Sequence, residues 1–178
     1  MAVLASDEFR PLLAAFNLED FRGGRHILRD ERGWRIRDIQ VESIWLARIE
    51  PSFDQVSYLM VVHHDKQPQA IFCFAGADSL PNVTTKPVDC PGLDDRIVAS
   101  LKHIDLLSSN DELSLDGIAY SLDVCTSSLS ARLMFANPKT ESLRSVERAL
   151  FEVAESVAHV MASSELIDYS KTWRRYLN

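Results

Sequence analysis

The sequence has no apolar run long enough to cross a bilayer, which takes about 20 consecutive residues. Its longest uncharged apolar run, at 67–77, already contains Pro68 and Gly76. The first residues do not resemble a secretory signal peptide, because no basic region precedes them and Asp7 and Glu8 soon follow. These absences predict a cytoplasmic protein without a membrane segment.

Cysteine is also scarce, with only Cys73, Cys90 and Cys125 in the chain. The number is odd and the spacing matches no zinc or redox motif. Cys73 and Cys125 sit in apolar runs, where a thiol behaves as a small hydrophobic group. We expect three reduced cysteines in a reducing compartment, and a catalytic Cys125 is the alternative.

The common catalytic and cofactor motifs are missing: there is no phosphate-binding loop, dinucleotide fingerprint, nucleophile elbow or HExxH sequence. The one conspicuous cluster is His63-His64-Asp65, at the end of a strand-like run. Neighbouring strand residues point to opposite faces, so His63 and His64 cannot easily share a metal ion. The sequence therefore predicts no catalytic residue, metal or cofactor, and a small enzyme using His63/His64 or the carboxylates is the alternative.

Basic residues are rare in the middle of the chain. Residues 51–130 carry 4 basic and 11 acidic side chains, and this segment accounts for the whole net charge of −7. Phosphates would be repelled there, so we expect a basic protein partner and no nucleic acid. The acids that fall in or beside its irregular stretches are the predicted partner-binding residues: Asp78, Asp89, Asp94, Asp95, Asp111 and Glu112. An acidic face that only favours solubility is the alternative.

Arginine, by contrast, is concentrated near the start, where six arginines lie within residues 22–37. Acids interleave with them, at Asp20, Asp30, Glu31 and Asp38. We interpret the segment as an exposed surface of mutually paired charges, with phosphate binding as the alternative.

Alternating apolar residues indicate strands. Residues 56–63 are apolar on both faces, which is typical of a central strand, and a turn connects them to 71–74. Residues 118–124 and 129–135 form a second predicted hairpin, because both alternate with period two around a short polar break. Shorter strands are predicted at 34–37 and 44–49.

Apolar residues at helical spacing predict helices at 9–16 and 93–104, and a long helix after Asn137-Pro138. Asparagine is a common N-cap and proline suits the first helical position, so the long helix is predicted to begin at Pro138. Its polar face is predicted to carry the pairs Arg144/Glu147 and Arg148/Glu152.

The chain of 178 residues fits one domain, 1–178. Its elements do not alternate as β-α units, so a parallel sheet is not indicated. We therefore predict an α+β fold, with a largely antiparallel sheet of about five to six strands and the long C-terminal helix packed on one face. Leu150 and Val153 of that helix should be buried against the sheet.

The stretch from Ser114 to Glu155 resembles the C-terminal half of small bacterial immunity proteins, which neutralise polymorphic or contact-dependent toxins by direct binding. The resemblance lies in Leu115-Asp116-Gly117-Ile118-Ala119-Tyr120, in Phe135-Ala136-Asn137-Pro138, and in the helix from Glu141. It implies a protein that binds a toxin, and it assigns no role to any single residue. The chain is also similar to type III secretion chaperones, which are small acidic α+β proteins and usually dimers.

The sequence thus predicts a non-enzymatic protein-binding module, an immunity protein that inhibits a cognate toxin. A secretion chaperone or adaptor is the alternative, followed by a small enzyme. If the acids do not bind the partner, the next candidate interface is an apolar patch or the C-terminal aromatic segment with Tyr169, Trp173 and Tyr176.

Overall fold

A computed structural model of the chain describes residues 9–30, 32–64, 67–90, 99–101 and 117–177. Within these ranges, seven strands form one sheet: β1 (Gly24–Arg29), β2 (Arg35–Pro51), β3 (Ser57–His64), β4 (Gln67–Phe74), β5 (Val88–Asp89), β6 (Ile118–Thr126) and β7 (Ser130–Ala136). The helices are α1 (Arg10–Ala15), α2 (Glu141–Val160) and α3 (Ser164–Trp173), and a 3-10 turn, Arg174–Tyr176, follows α3. No helix in these ranges is both long and apolar enough to cross a membrane.

Every strand pair in the described sheet is antiparallel, and the order is β5-β4-β3-β2-β6-β7, with β1 paired to β2. The predicted α+β class and antiparallel sheet are therefore confirmed. Both predicted hairpins are present, as β3–β4 and β6–β7. The predicted helix at 93–104 lies largely outside the described residues, but its described part, residues 99–101, is helical.

The C-terminal helices cover one face of the sheet. Leu150 and Val153 of α2 and Trp173 of α3 are buried against inward-facing strand residues such as Leu59 and Leu122. Alternation along each strand places every second side chain on this face. Burial of Leu150 and Val153 agrees with the sequence prediction.

The opposite face has its own apolar cluster, covered by α1 and the residues that follow it. Leu12 and Phe16 pack there against Tyr58, Met60 and Ile71. Helices therefore cover both faces of the central strands, with the long C-terminal helix on one face as predicted. The physical reason is that β3 is apolar on both sides, and each side needs a cover.

The long helix begins later than predicted. α2 starts at Glu141, after Thr140 in an extended conformation, so Pro138 does not occupy the first helical position. Asn137 has a positive φ of 44°, and its side-chain Oδ1 accepts a hydrogen bond from the backbone N–H of Ile118. Asn137 thus ties the end of β7 to the start of β6 instead of capping the helix.

The two strands predicted at 34–37 and 44–49 are one continuous strand of 17 residues, β2. β3 and β6 pair only with its second half, whereas β1 pairs with its first half. Strands β1 and β2 therefore continue past the sheet as a two-stranded ribbon, called here the arm (residues 24–40). Six residues of β2, Arg35–Gln40, correspond to about 20 Å of extended chain.

Candidate functional site

Only two of the six predicted partner-binding acids lie within the described residues. Asp78 is exposed in the turn after β4, and its carboxylate accepts a hydrogen bond from the backbone N–H of Leu80. Asp89 is exposed on β5 and accepts a hydrogen bond of 2.9 Å from the side chain of Gln69. The remaining four, Asp94, Asp95, Asp111 and Glu112, lie outside the described residues.

Asp78 and Asp89 lie near opposite ends of β4. Asp89 stands opposite Gln69 in the register, whereas Asp78 follows Ala75, where the strand has ended. The six residue steps between Gln69 and Ala75 span about 20 Å. The structure therefore does not bring these two carboxylates into one patch.

His63 and His64 contact different partners. His63 Nδ1 lies 3.5 Å from a carboxylate oxygen of Glu42, and His64 Nε2 lies 3.1 Å from Oε1 of Gln69. Regular pairing of β3 with β4 places the two imidazoles on opposite faces of the sheet. Across the part of the chain that the structure describes, no group of three metal-ligating side chains comes together.

The cysteines and the C-terminal aromatic residues belong to the interior. Cys73, Cys90 and Cys125 are all buried free thiols, and burial raises the pKa of Cys73 to about 12. Tyr169 and Trp173 are also buried, and their rings contact Phe72. Trp173 is only 1% exposed, and Tyr169 is buried with it. A partner cannot reach these two side chains, so the predicted fallback interface on this segment is wrong for both of them.

A buried polar chain links the two C-terminal helices to the sheet. Trp173 Nε1 donates a hydrogen bond of 2.9 Å to the hydroxyl of Tyr120, which donates one of 2.7 Å to a carboxylate oxygen of Glu147. Burial raises the pKa of Glu147, while the Tyr120 hydrogen bond and the charges of Arg144 and Arg148 oppose that rise. Burial and the neighbouring carboxylate also raise the pKa of Tyr120.

Glu147 corrects the sequence prediction, which placed it on the polar face of α2 with Arg144. Its side chain is 3% exposed, and Arg148 forms an ion pair with Glu141, where the sequence predicted Glu152. The spacing of the sequence already indicates that Glu147 is buried, and the prediction missed this. Glu147 lies four residues after Leu143 and three before Leu150, within the apolar stripe. A pocket of about 300 Å³ reaches Glu147 from the surface of α2.

The tip of the arm is a tightly bonded turn. The Asp30 carboxylate accepts hydrogen bonds from the backbone N–H groups of Arg32, at 2.9 Å, and Trp34, at 2.8 Å. The backbone N–H of Asp30 also donates to the carbonyl of Trp34, and Gly33 adopts a φ of +81° that suits glycine. These bonds hold the backbone of Trp34 in place while its indole is exposed to solvent.

Some charges on the arm are paired with one another, as the interleaved acids in the sequence predicted. Asp38 accepts hydrogen bonds from Nε of Arg25, at 2.6 Å, and from Nε of Arg35, at 2.9 Å. These two guanidinium groups lower the pKa of Asp38. Arg32 and Arg37 are exposed and form no ion pair within the described residues.

The arm also exposes large apolar side chains. Trp34 is 73% exposed and Ile36 is 63% exposed, and Ile27 of β1 is partly exposed beside them. Tryptophan and arginine are enriched among the residues that dominate binding energy at protein interfaces. At 34–37 the residue pattern predicts only a short strand, and it does not reveal that this half of β2 leaves the sheet.

No family model, no curated protein and no solved structure matches this chain.

Proposed function

We propose that this chain is a non-enzymatic protein-binding module, an immunity protein that binds and inhibits a cognate bacterial toxin. The observation that carries the proposal is the arm, which presents exposed Arg32 and Trp34 at its bonded turn and exposed Ile36 and Arg37 on the adjoining part of β2. Toxin inhibition itself is suggested by the resemblance of residues 114–155 to immunity proteins.

Binding of a partner at the arm would bury apolar surface without first having to order the backbone at the turn. Exposed Trp34 and Ile36 gain by removal from water, at about 25 cal/mol for each Å² of apolar surface buried. The hydrogen bonds to Asp30 already position the backbones of Arg32 and Trp34, so a partner does not have to position them. A surface with both properties favours specific protein binding over a merely solvated ribbon.

The test begins with the proteins encoded beside this one. Each is co-expressed with the chain, and growth rescue is scored while affinity is measured by calorimetry. We expect one of them to be toxic alone and tolerated in complex. Replacing Trp34 and Ile36 together by alanine should cost at least about 2 kcal/mol of binding energy, or about thirtyfold in Kd, and should reduce rescue.

Phe53→Ala is the matched control, because Phe53 is 77% exposed but lies in the turn between β2 and β3, at the far end of β2 from the arm. It should leave affinity unchanged.

Equal affinities of the Trp34/Ile36 variant and wild type would remove the arm from the interface. In that case Asp78→Asn and Asp89→Asn test the acidic residues and the basic partner predicted from them. A neighbour that binds and is secreted without being toxic would favour the chaperone or adaptor alternative.

A further inference from the structure

We propose that the arm docks an extended, acidic segment of the partner protein along the edge of β2 at Arg35–Gln40. The inference rests on the proposed function and names the chemistry of the partner at that surface. An open strand edge, two exposed arginines and two exposed apolar side chains on the same ribbon carry it.

Among the described residues the edge is open, because β2 is longer than the strands beside it. Val41 pairs with Gly24 on one side and with His64 on the other, so β3 ends at this point. From Arg35 to Gln40, β1 is the one strand neighbour within the described residues. The other edge can therefore pair with an added strand, which is a common mode of peptide recognition.

Charge selects an acidic segment. Residues 24–40 contain five arginines and three acids, although the whole chain carries −7. Asp38 is occupied by Arg25 and Arg35, whereas Arg32 and Arg37 are exposed and form no ion pair within the described residues. Guanidinium groups bind carboxylates in a bidentate geometry, so Arg32 and Arg37 suit aspartate or glutamate on the added segment. The acidic remainder of the molecule would repel the same segment elsewhere.

Apolar contacts favour a protein over a nucleic acid. Ile36 and Ile27 are aliphatic and give no stacking surface for bases, whereas they fit the alternate side chains of an extended peptide. Trp34 would pack against an apolar residue next to the carboxylates.

The probe is a phage-displayed library of random peptides of about 12 residues, long enough to pair with the whole open edge. Wild-type chain is the bait, and the variant Trp34→Ala/Arg32→Glu/Arg37→Glu is used for counter-selection. We expect the retained peptides to be rich in Asp and Glu and to contain at least one large apolar residue.

Binding of a retained peptide is followed through Trp34. The chain has three tryptophans, and Trp45 and Trp173 are buried, so acrylamide quenching reports mainly on Trp34. The peptide should protect Trp34 from the quencher. Affinity should fall about tenfold when salt rises from about 50 to about 300 mM, because exposed charge pairs are screened. Arg32→Glu/Arg37→Glu should weaken binding at least about tenfold.

Arg175→Glu is the matched control, since Arg175 is exposed in the 3-10 turn after α3, well away from the arm in sequence and fold. It should change affinity less than about twofold, as charges outside an interface do. Three outcomes would each overturn the proposal. The retained peptides could be neutral or basic, their affinity could be insensitive to salt and to the arginine substitutions, or no peptide could bind wild type in preference to the counter-selection variant. Tighter binding of a single-stranded RNA of about 20 nucleotides, lost in the same arginine variant, would assign the arm to nucleic acid instead.

The two proposals fail in different ways. Loss of toxin binding in the Trp34/Ile36 variant, together with neutral peptides, would keep the arm as the interface and reject only the acidic segment. Acidic peptides that bind the arm, without any toxic neighbour, would keep the acidic segment and reject the immunity function.

Discussion

At the scale of single residues, Glu147 is the most unusual group. A carboxylate inside an apolar cluster is costly unless it is hydrogen-bonded, and Tyr120 supplies that bond. The position of Glu147 joins α2 to β6 and, through Trp173, to α3. We therefore expect the protonation of Glu147 to affect how α2, α3 and β6 pack together.

We expect the wild-type chain to lose stability as pH rises because Glu147 ionises, and we expect the Glu147→Gln variant not to show this loss. The folded-state pKa of Glu147 is raised above its ordinary value of 4.5, so the folded chain holds this proton more tightly than the unfolded chain. Stability contributed by Glu147 is thus present below pH 4.5 and is lost as pH rises through the folded pKa. The substituted amide cannot ionise, and its oxygen can still accept the Tyr120 hydrogen bond.

Chemical unfolding measured across this pH range tests the expectation. The wild-type free energy of unfolding should decline relative to the Glu147→Gln variant as pH increases. Glu165→Gln, at an exposed position on α3, should follow the wild-type curve. Parallel curves for wild type and Glu147→Gln would show that Glu147 does not titrate differently in the two states.

At the scale of elements, the start of β6 depends on a close approach of two chain segments. Gly117 has a φ of +155°, and a Cβ added there would lie 1.7 Å from Oδ1 of Asn137. The same Asn137 oxygen accepts the hydrogen bond from Ile118 that aligns β6 with the end of β7. Glycine is required here by space as much as by conformation.

Gly117→Ala should lower the free energy of unfolding by at least about 1 kcal/mol, because the added methyl group displaces Asn137 and breaks this alignment. Thermal unfolding gives the measurement. Gly76→Ala is the control, since the nearest atom to its Cβ would be the tip of the Asp78 side chain, at 3.3 Å. Equal midpoints for the two variants would mean that the junction adapts freely.

At the scale of the whole molecule, two apolar clusters share one sheet. Leu150 belongs to the cluster under α2 and α3, and Leu12 belongs to the cluster under α1. Successive residues of β2 and β3 point into one cluster and then the other. Because neither cluster can lose its strands without exposing the other, the described sheet and helices should unfold as one cooperative unit.

Leu12→Ala and Leu150→Ala should each destabilise the fold by about 2–5 kcal/mol, as expected for a buried leucine. Both should shift the same transition when it is followed by tryptophan fluorescence, although Trp45 and Trp173 lie only in the cluster under α2 and α3. Val160→Ala, at an exposed position, should change little. A fluorescence transition that Leu12→Ala leaves unmoved would show two independent units.

The sequence by itself determined the elements whose pattern is local. Period-two alternation indicated the β3–β4 and β6–β7 hairpins, and the apolar stripe through Leu150 and Val153 indicated the long helix and its buried face. Such patterns can be read from the linear sequence because side-chain direction repeats every two residues in strands and every 3.6 residues in helices.

Only the tertiary structure decided what depends on register between distant strands. It made one long strand of two predicted ones, and so exposed Trp34 and Ile36 on an arm. It separated Asp78 from Asp89 along β4, and it brought Tyr120 to Glu147. These outcomes follow from which strand lies beside which and where each one ends, and the local residue pattern does not encode that arrangement because the contacts join segments far apart in the chain.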